Sequence, residues 1–495
     1  MRVFLIGMMG SGKSTIGRIL SSVLDKKFID MDSEIERAKG MSISEIFEKE
    51  GEKEFRRLEK NLLKELVRSD EIVVSTGGGV ILDNENRQTL KGENSIYLRL
   101  PPADLYRRVS VKGRPLLREG KESIFRIWEE RRELYEQFPS VDTSSQTQWE
   151  TVAAISMKIA AGERKTLNSS SHPVSISPGG FKSIGRMPNT VVSKRVQRIF
   201  SEWIPSSAFS IDDGEEAKGF HTLFQIYEYL MDRGVSRSDM VVGAGGGTVT
   251  DLVGFASSTF KRGVPITLYP TTLLAQVDAS IGGKNGLNFE GCKNVVGNFY
   301  MPYETIIDPV VTLSMDEGRF EEGLVEAFKI FLITGRWYEN FKSRCRDLKN
   351  RNLRALSEML EEAVRQKDRI VAIDTRETGM RRILNLGHTL GHLYEPLTGV
   401  SHGMAVAWGL EREMHYFANL GLIDEEMYRE VSETLSEIVG LDFPQLPVED
   451  ALRLLRNDKK ATTSESMEIE IPLVRKPGSF EFAKVRLDDL LAVVV

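Results

Sequence analysis

The sequence predicts an α/β protein in three parts: a unit built on a parallel sheet, a second α/β unit, and a mainly helical part after it. Three observations carry this expectation. Over the first ~160 residues, short apolar runs such as residues 3–6 and 72–75 alternate with charged amphipathic stretches such as residues 13–24, the rhythm of strands joined through crossover helices. Twice, at residues 7–14 and 243–251, an apolar run leads through a cluster of glycines into a helical pattern. From about residue 316 onward the apolar spacing becomes helical over long stretches.

Length and composition bound the rest. At 495 residues the chain exceeds what one core serves, and about 150 residues per folding unit suggests about three units. It is 41% hydrophobic and 28% charged with a net charge of -6, so it has no general attraction for nucleic acid, and anionic ligands must be held by local Lys and Arg. The basic runs around Arg351 read as solvated helix faces. Cys292 and Cys345 are the only cysteines, which gives neither a disulfide framework nor a thiolate metal site and suits a reducing, cytoplasmic setting. The opening MRVFLIGMMGSGKST reads as a strand and turn, not a signal peptide, and no run approaches the ~18 apolar residues of a membrane span. Small polar residues before Pro173 place a linker at residues 165–172, with 1–164 before it, an α/β part over 173–312 and a helical part over 313–495.

Residues 7–14, GMMGSGKS, satisfy the G-x-x-x-x-G-K-[ST] pattern between a strand and a helix, the context this phosphate-binding loop requires. Backbone N–H groups of Gly10, Ser11, Gly12 and Thr15 would converge on phosphate oxygens, Lys13 would hold the β and γ phosphates, and Ser14 would bind magnesium. Further motifs follow in order: FIDMD at 28–32, FRRLE at 55–59, STGGG at 75–79, RPLL at 114–117, and Arg132 shortly before Tyr135. Together they resemble shikimate kinases over essentially all of residues 1–160. The resemblance implies that Asp32 binds the accepting hydroxyl, Arg56 and Arg132 grip the shikimate carboxylate, and Gly78 and Gly79 let the backbone approach the ring. It further implies that Asp30 orders the magnesium shell, Arg114 closes over the transferred phosphoryl group, and Arg107 lies against adenine. Guanidinium groups suit a carboxylate, and phosphoryl transfer then needs mainly positioning and charge neutralisation.

In the second half, GAGGGTVTD at 243–251 is arranged for a pyrophosphate on backbone amides, although a glycine run alone says little. Metal binding is readable separately. His388 and His392 stand four apart on one helical face, His402 follows beyond a short loop, and these are three of the six histidines in the chain. Glu326 supplies a candidate carboxylate. Catalytic zinc usually takes three protein ligands, so one of these four is spare.

The succession FKRG at 260–263, PTTLL at 270–274, QVD at 276–278, GGK at 282–284 and GCKN at 291–294 closely resembles 3-dehydroquinate synthases, in continuous order from residue 214 to 460. The resemblance assigns the metal, Zn2+ or another divalent ion such as Co2+, to Glu326, His388 and His402, and makes His392 a catalytic pocket residue. It places Lys284, Lys293, Asn294, Lys329 and Asn385 around the substrate phosphate and hydroxyls, with Lys367 and Arg381 at the carboxylate end. Asp278 would be a polar contact, Glu377 would orient the pocket, and Lys459 or its neighbour Lys460 would close it. For NAD+ the matching positions are Glu215, Lys218, Gly245, Gly246, Gly247, Asp251, Thr271 and Thr272, with Lys284 and Lys293 nearby. Arg262 corresponds to a residue that reaches the neighbouring subunit's site, which implies a homodimer.

The whole sequence thus suggests a P-loop kinase domain followed by an NAD-binding α/β domain and a helical metal-binding domain. ATP with Mg2+, shikimate and a heptulosonate phosphate are the implied ligands. Thr250 stands where the synthases generally have Gly, Ile330-Phe331 replace an aromatic or His followed by Gly, and residues 190–205 are polar where a strand is usual. The alternative for the second half is a metal- and NAD-dependent polyol dehydrogenase, which has no need of the Lys284, Lys293, Arg381 cluster.

Overall fold

The computed structural model describes residues 1–109, 115–117, 120–444, 468–486 and 489–490. Arg114, Lys459 and Lys460 lie outside them. The chain falls into two compact units, Met1–Ala160 together with Asn350–Arg354, and Ala161–Lys349 together with the described residues from Ala355 onward. No helix among the described residues is long and apolar enough to cross a membrane.

In the first unit, strands β1 (Arg2–Ile6), β2 (Lys27–Asp30), β3 (Ile72–Ser75), β4 (Asn94–Arg99) and β5 (Ser140–Asp142) form one sheet in the order β2-β3-β1-β4-β5. Every neighbouring pair is parallel. β1 and β3 are apolar and almost wholly buried because helices cover both faces of such a sheet. The register sets Leu5 and Asp30 beside Ser75. The carboxyl ends of β1, β2 and β3 therefore meet, and the glycine loop, the Asp30 to Asp32 turn and the 76–79 turn all leave from that edge, where open α/β sheets bind ligands.

The second unit holds β6 (Lys165–Leu167), β7 (Val174–Ile176), β8 (Thr190–Ser193), β9 (Phe209–Ile211), β10 (Val241–Gly245), β11 (Ile266–Pro270) and β14 (Glu304–Ile307) in one sheet ordered β6-β7-β14-β11-β10-β8-β9. β6 alone pairs antiparallel. The residues expected as a linker thus open on an edge strand. The hydroxyls of Ser169 (2.8 Å) and Ser171 (2.5 Å) and the backbone N–H groups of Ser170 (2.6 Å) and Ser171 (3.0 Å) all donate to the Asp368 carboxylate, so the small polar residues that read as linker composition serve a buried anion.

Residues 190–193, part of the stretch that looks too polar for a strand, form fully buried β8 between β10 and β9. Thr190, Val191 and Val192 are β-branched and fit the pleat, while Thr190 Oγ1 donates to the Met187 carbonyl at 2.8 Å. Ser193 caps the following helix Lys194–Phe200. Between β11 and β14 come a π-turn at Ala275–Ala279 and the antiparallel hairpin β12 (Lys284–Phe289) and β13 (Cys292–Phe299).

The helical part contains Glu317–Thr334, Leu353–Ile373, His388–Thr398, His402–Asn419 and Glu425–Val439. Among the described residues it also holds an antiparallel hairpin that the helical expectation omitted, β15 (Glu468–Lys476) and β16 (Ser479–Arg486), turning at Gly478.

Candidate active sites

In the first unit, the loop after β1 turns through left-handed Gly10 (φ 83°) and Gly12 (φ 90°), which aligns successive backbone N–H groups at the start of helix Lys13–Val23. Lys13 is buried and donates to the carbonyls of Gly7 (2.8 Å) and Met8 (3.0 Å). Ser11 Oγ is buried in the loop without a hydrogen-bond partner, as suits a phosphate cradle. Ser14 Oγ donates to Asp30 Oδ2 at 2.5 Å, so the two expected magnesium residues already touch. Thr15 is exposed on the helix.

Across the loop, burial holds the Asp32 carboxyl above its ordinary range against the pull of Lys13. Arg56 Nη1 donates to Glu59 Oε2 at 2.8 Å, and Glu59 is itself raised by burial. Gly77 and Gly79 let the functional side chains close in on the turn. A Cβ on Gly77 would fall 2.4 Å from Glu59 Oε1 and 2.9 Å from Asp32 Oδ1, and one on Gly79 would fall 2.3 Å from Arg56 Nη1.

Arg132 is not part of this cluster. It is exposed, pairs with Glu129 at 3.3 Å and lies over the Trp128 ring. Its neighbour Arg131 faces the glycine turn instead: Nη1 donates to the Gly78 carbonyl at 2.8 Å, and the buried Nε has no hydrogen-bond partner. The helix Ser123–Tyr135 buries Ile124, Ile127, Arg131 and Tyr135, a 3-4-4 spacing that leaves position 132 on the outer face. Arg107 is exposed and paired with Asp104 at 2.8 Å.

In the second unit one cleft of about 960 Å³ is lined by Glu215, Lys218, Gly246, Gly247, Asp251, Thr271 and Thr272, and also by the cationic and histidine residues. Gly246 begins the helix Gly247–Thr259 directly after β10. A Cβ on Gly246 would meet Thr272 Cγ2 at 3.0 Å, while Gly245 packs against Val249 at the strand end and does not line the cleft. Buried Lys218 donates to Asn294 Oδ1 and pairs with Asp251 Oδ2, each at 2.5 Å. Burial still raises Asp251 to about 6. Glu215 Oε1 accepts from Asn288 Nδ2 at 2.8 Å.

The ring donor atoms of His388, His392 and His402 all lie within 4.8 Å of one another. Glu326 Oε1 is 3.7 Å from His388 Nε2. Lys329 Nζ lies 2.6 Å from Glu326 Oε2 and 3.3 Å from His388 Nδ1. Burial, and then Lys329, holds His388 well below the usual imidazole range, so it presents a neutral ring. Imidazoles and a carboxylate brought together from separate helices fit one divalent transition metal.

Around them Lys284 pairs with Glu377, Asn385 Nδ2 donates to Glu377 Oε1 at 3.4 Å, and Lys367 pairs with Asp278. Arg381 is buried, donates to the carbonyls of Gly282 (3.3 Å) and Thr375 (2.8 Å), and leaves Nε unpartnered. Arg262 is exposed, has a left-handed φ of 63° and does not line this chain's cleft.

Comparison with known proteins decides the family. Residues 9–160 match the shikimate kinase family model, 208–322 the 3-dehydroquinate synthase N-terminal model and 323–461 the C-terminal model. The bifunctional shikimate kinase/3-dehydroquinate synthase of Thermotoga maritima is 48% identical over 494 residues, covering 100% of both chains. The chain belongs to the bifunctional shikimate kinase/3-dehydroquinate synthase family. The synthase half is also 38% identical over 283 residues to the 3-dehydroquinate synthase of Thermoplasma volcanium, covering 54% of this chain and 78% of that one.

Two solved structures share the synthase fold. One is the 2-epi-5-epi-valiolone synthase ValA of Streptomyces hygroscopicus subsp. jinggangensis with NAD+ and Zn2+ bound, at TM-score 0.60 and 24% identity over 67% of this chain and 97% of that one. The other is 2-deoxy-scyllo-inosose synthase with carbaglucose-6-phosphate, NAD+ and Co2+, at TM-score 0.59 and 20% identity over 67% and 99%.

In this member of the family the departures pack without disruption. Thr250 is buried and its Oγ1 donates to the Gly247 carbonyl at 3.0 Å. Phe331 packs against Trp337 and Phe341. One cleft residue escaped the sequence reading: Glu395 accepts from His402 Nδ1 at 3.0 Å and pairs with Lys293. Its signal was its spacing, since 388, 392 and 395 lie on one face of a helix.

Proposed function

We propose that the first unit phosphorylates shikimate to shikimate 3-phosphate with ATP and Mg2+, and that the second converts 3-deoxy-D-arabino-heptulosonate 7-phosphate to 3-dehydroquinate with release of phosphate. In the kinase the loop amides and Lys13 would hold the nucleotide phosphates, and Ser14 with Asp30 would hold the magnesium, which when bound supplies charge neutralisation. Asp32 accepts the proton of the attacking hydroxyl, and its raised affinity for a proton suits that task. Arg56 and Arg131 hold the shikimate carboxylate against the backbone of Gly78 and Gly79.

In the synthase, Glu326, His388 and His402 would hold the metal, and the loop at Gly246 and Gly247 with Asp251, Lys218, Thr271 and Thr272 would hold NAD+. When bound, these groups supply a Lewis acid and a reversible hydride acceptor. Lys284, Lys293, Asn294, Lys329 and Asn385 surround the phosphate and hydroxyls, and Lys367 with Arg381 neutralises the carboxylate. Glu377 orients Lys284 and Asn385, Asp278 fixes Lys367, and His392 moves protons in the pocket. Arg262 serves the adjoining subunit of a homodimer. Small molecules are the ligands, nucleic acid and membrane are not partners, and the two free cysteines suit a cytoplasmic enzyme.

The observation that carries the synthase reading is the gathering of Lys284, Lys293, Lys329, Lys367 and Arg381 in the cleft that holds the histidines. A polyol dehydrogenase has no use for so many cations. Incubating the full chain with the heptulosonate phosphate and substoichiometric NAD+ tests it: phosphate release in excess of NAD+ is expected, whereas stoichiometric NADH without phosphate release indicates the dehydrogenase.

A further inference from the structure

Glu413 is 0% exposed and does not line the cleft. A carboxyl withdrawn from water is costly unless hydrogen-bonded, and a Leu or Met would fill the same volume without that cost. Its bonds are specific. Oε2 accepts from the backbone N–H of Gly387 at 2.8 Å and Oε1 from that of Leu390 at 3.3 Å. These donors belong to the first turn of helix His388–Thr398, which has no side-chain cap of its own. The cap comes instead from the next helix, His402–Asn419. A carboxylate at a helix start also suits the local dipole.

The two helices meet backbone to backbone at the same place. Gly387 adopts φ 78°, and a Cβ there would fall 2.9 Å from both the Leu410 Cβ and the Val406 carbonyl. A Cβ on Gly391 would meet the Ala405 carbonyl at 2.9 Å, and one on Gly409 the Gly387 carbonyl at 2.1 Å. One helix carries His388 and His392 on its first turns, and the other begins at His402. The ring centroids of His388 and His402 are 5.2 Å apart, and those of His392 and His402 5.8 Å.

We infer that Glu413 is a positioning residue for the metal site: by tying the N–H groups of Gly387 and Leu390 to the neighbouring helix, it sets where His388 and His392 stand relative to His402. This rests on the reading that these histidines hold the metal. Gln at 413 keeps the volume but turns an NH2 group toward a backbone N–H, so the first turn must shift. Asp keeps both acceptors but reaches less far.

Zinc binding by equilibrium dialysis on the full chain, compared for the parent protein, His388→Ala, Glu413→Gln and Glu413→Asp, tests the inference, with NAD+ affinity and shikimate phosphorylation measured on the same samples. His388→Ala is expected to abolish tight zinc binding. Glu413→Gln is expected to weaken it about tenfold or more, the usual effect of losing an outer support of a metal ligand, with NAD+ affinity within about twofold and kinase activity unchanged. Glu413→Asp falls between. Parent-like zinc affinity in Glu413→Gln overturns the inference while leaving the metal reading intact if His388→Ala has lost zinc. Retention of zinc by His388→Ala overturns both. If Glu413→Gln does not fold, Glu413→Asp decides: weakened zinc with intact NAD+ binding upholds the positioning role, and parallel loss of both ligands, or no loss of either, overturns it.

Discussion

Arg131 Nη1 donates to the carbonyl oxygen of Gly78 at 2.8 Å, directly beside the hydroxyl of Tyr135, which donates to the same oxygen at 2.6 Å. The guanidinium thereby braces the turn that carries Gly78 and Gly79 and leaves its buried Nε without a partner, and its charge is felt by Glu59. Replacing it should remove a charge-assisted hydrogen bond to the substrate carboxylate, so Arg131→Ala is expected to lower kcat/KM for shikimate by about tenfold to a hundredfold. Arg132→Ala should stay within about twofold, because losing an exposed ion pair is nearly neutral. Steady-state kinetics of both variants check this, with the ATP KM as an internal control.

Buried Lys218 and part-buried Asp251 form an ion pair in the cleft of the second unit. Lys218→Met leaves the Asp251 carboxylate unmatched and frees Asn294. It is expected to lower stability by about 1 to 3 kcal/mol and to weaken NAD+ binding, read by thermal unfolding and by fluorescence titration.

His172 is buried between Ser171 Oγ (3.0 Å from Nδ1) and Thr305 Oγ1 (2.9 Å from Nε2), and burial holds its pKa down to about 4 despite Asp368. The unfolded chain takes up a proton near pH 6.5 that the folded chain refuses until about pH 4. The folded state is therefore progressively destabilised as pH falls through this window, by about 3 kcal/mol at most, and the penalty is fully present below it. His172→Gln should flatten that part of the stability profile, measured by denaturant unfolding of the synthase half at pH 7, 5.5 and 4.5. An unchanged slope would show that other groups govern acid lability.

Both phosphate-type loops and the histidine pair were legible in the sequence because each rests on local spacing, whereas the cationic positions, spread from residue 284 to 381, were reached only through the family resemblance. Arg131 was legible too, through the 124, 127, 131, 135 stripe, but a motif anchored on Tyr135 suggested its neighbour. Residues 165–171 misled because serine composition reads as linker, whereas their partner Asp368 is some two hundred positions away. β8 was hidden by the polar cap and helix that follow its three β-branched residues. Glu413 was unreadable: on its helix it looks like any other charged residue, and only the packing of Gly387 against Gly409 reveals what it holds.

Chelation should separate the two halves. Stripping divalent metal from the synthase site and then restoring Mg2+ alone is expected to abolish phosphate release while shikimate phosphorylation persists, and adding Zn2+ or Co2+ should restore the lost activity.

The most direct measurement is of both activities on single preparations of the full chain carrying Lys13→Ala or His388→Ala. Lys13→Ala is expected to lower shikimate phosphorylation by on the order of 10²-fold or more and to leave phosphate release from the heptulosonate phosphate intact, with His388→Ala doing the reverse. Shikimate phosphorylation undiminished in Lys13→Ala, or phosphate release undiminished in His388→Ala, would contradict the account.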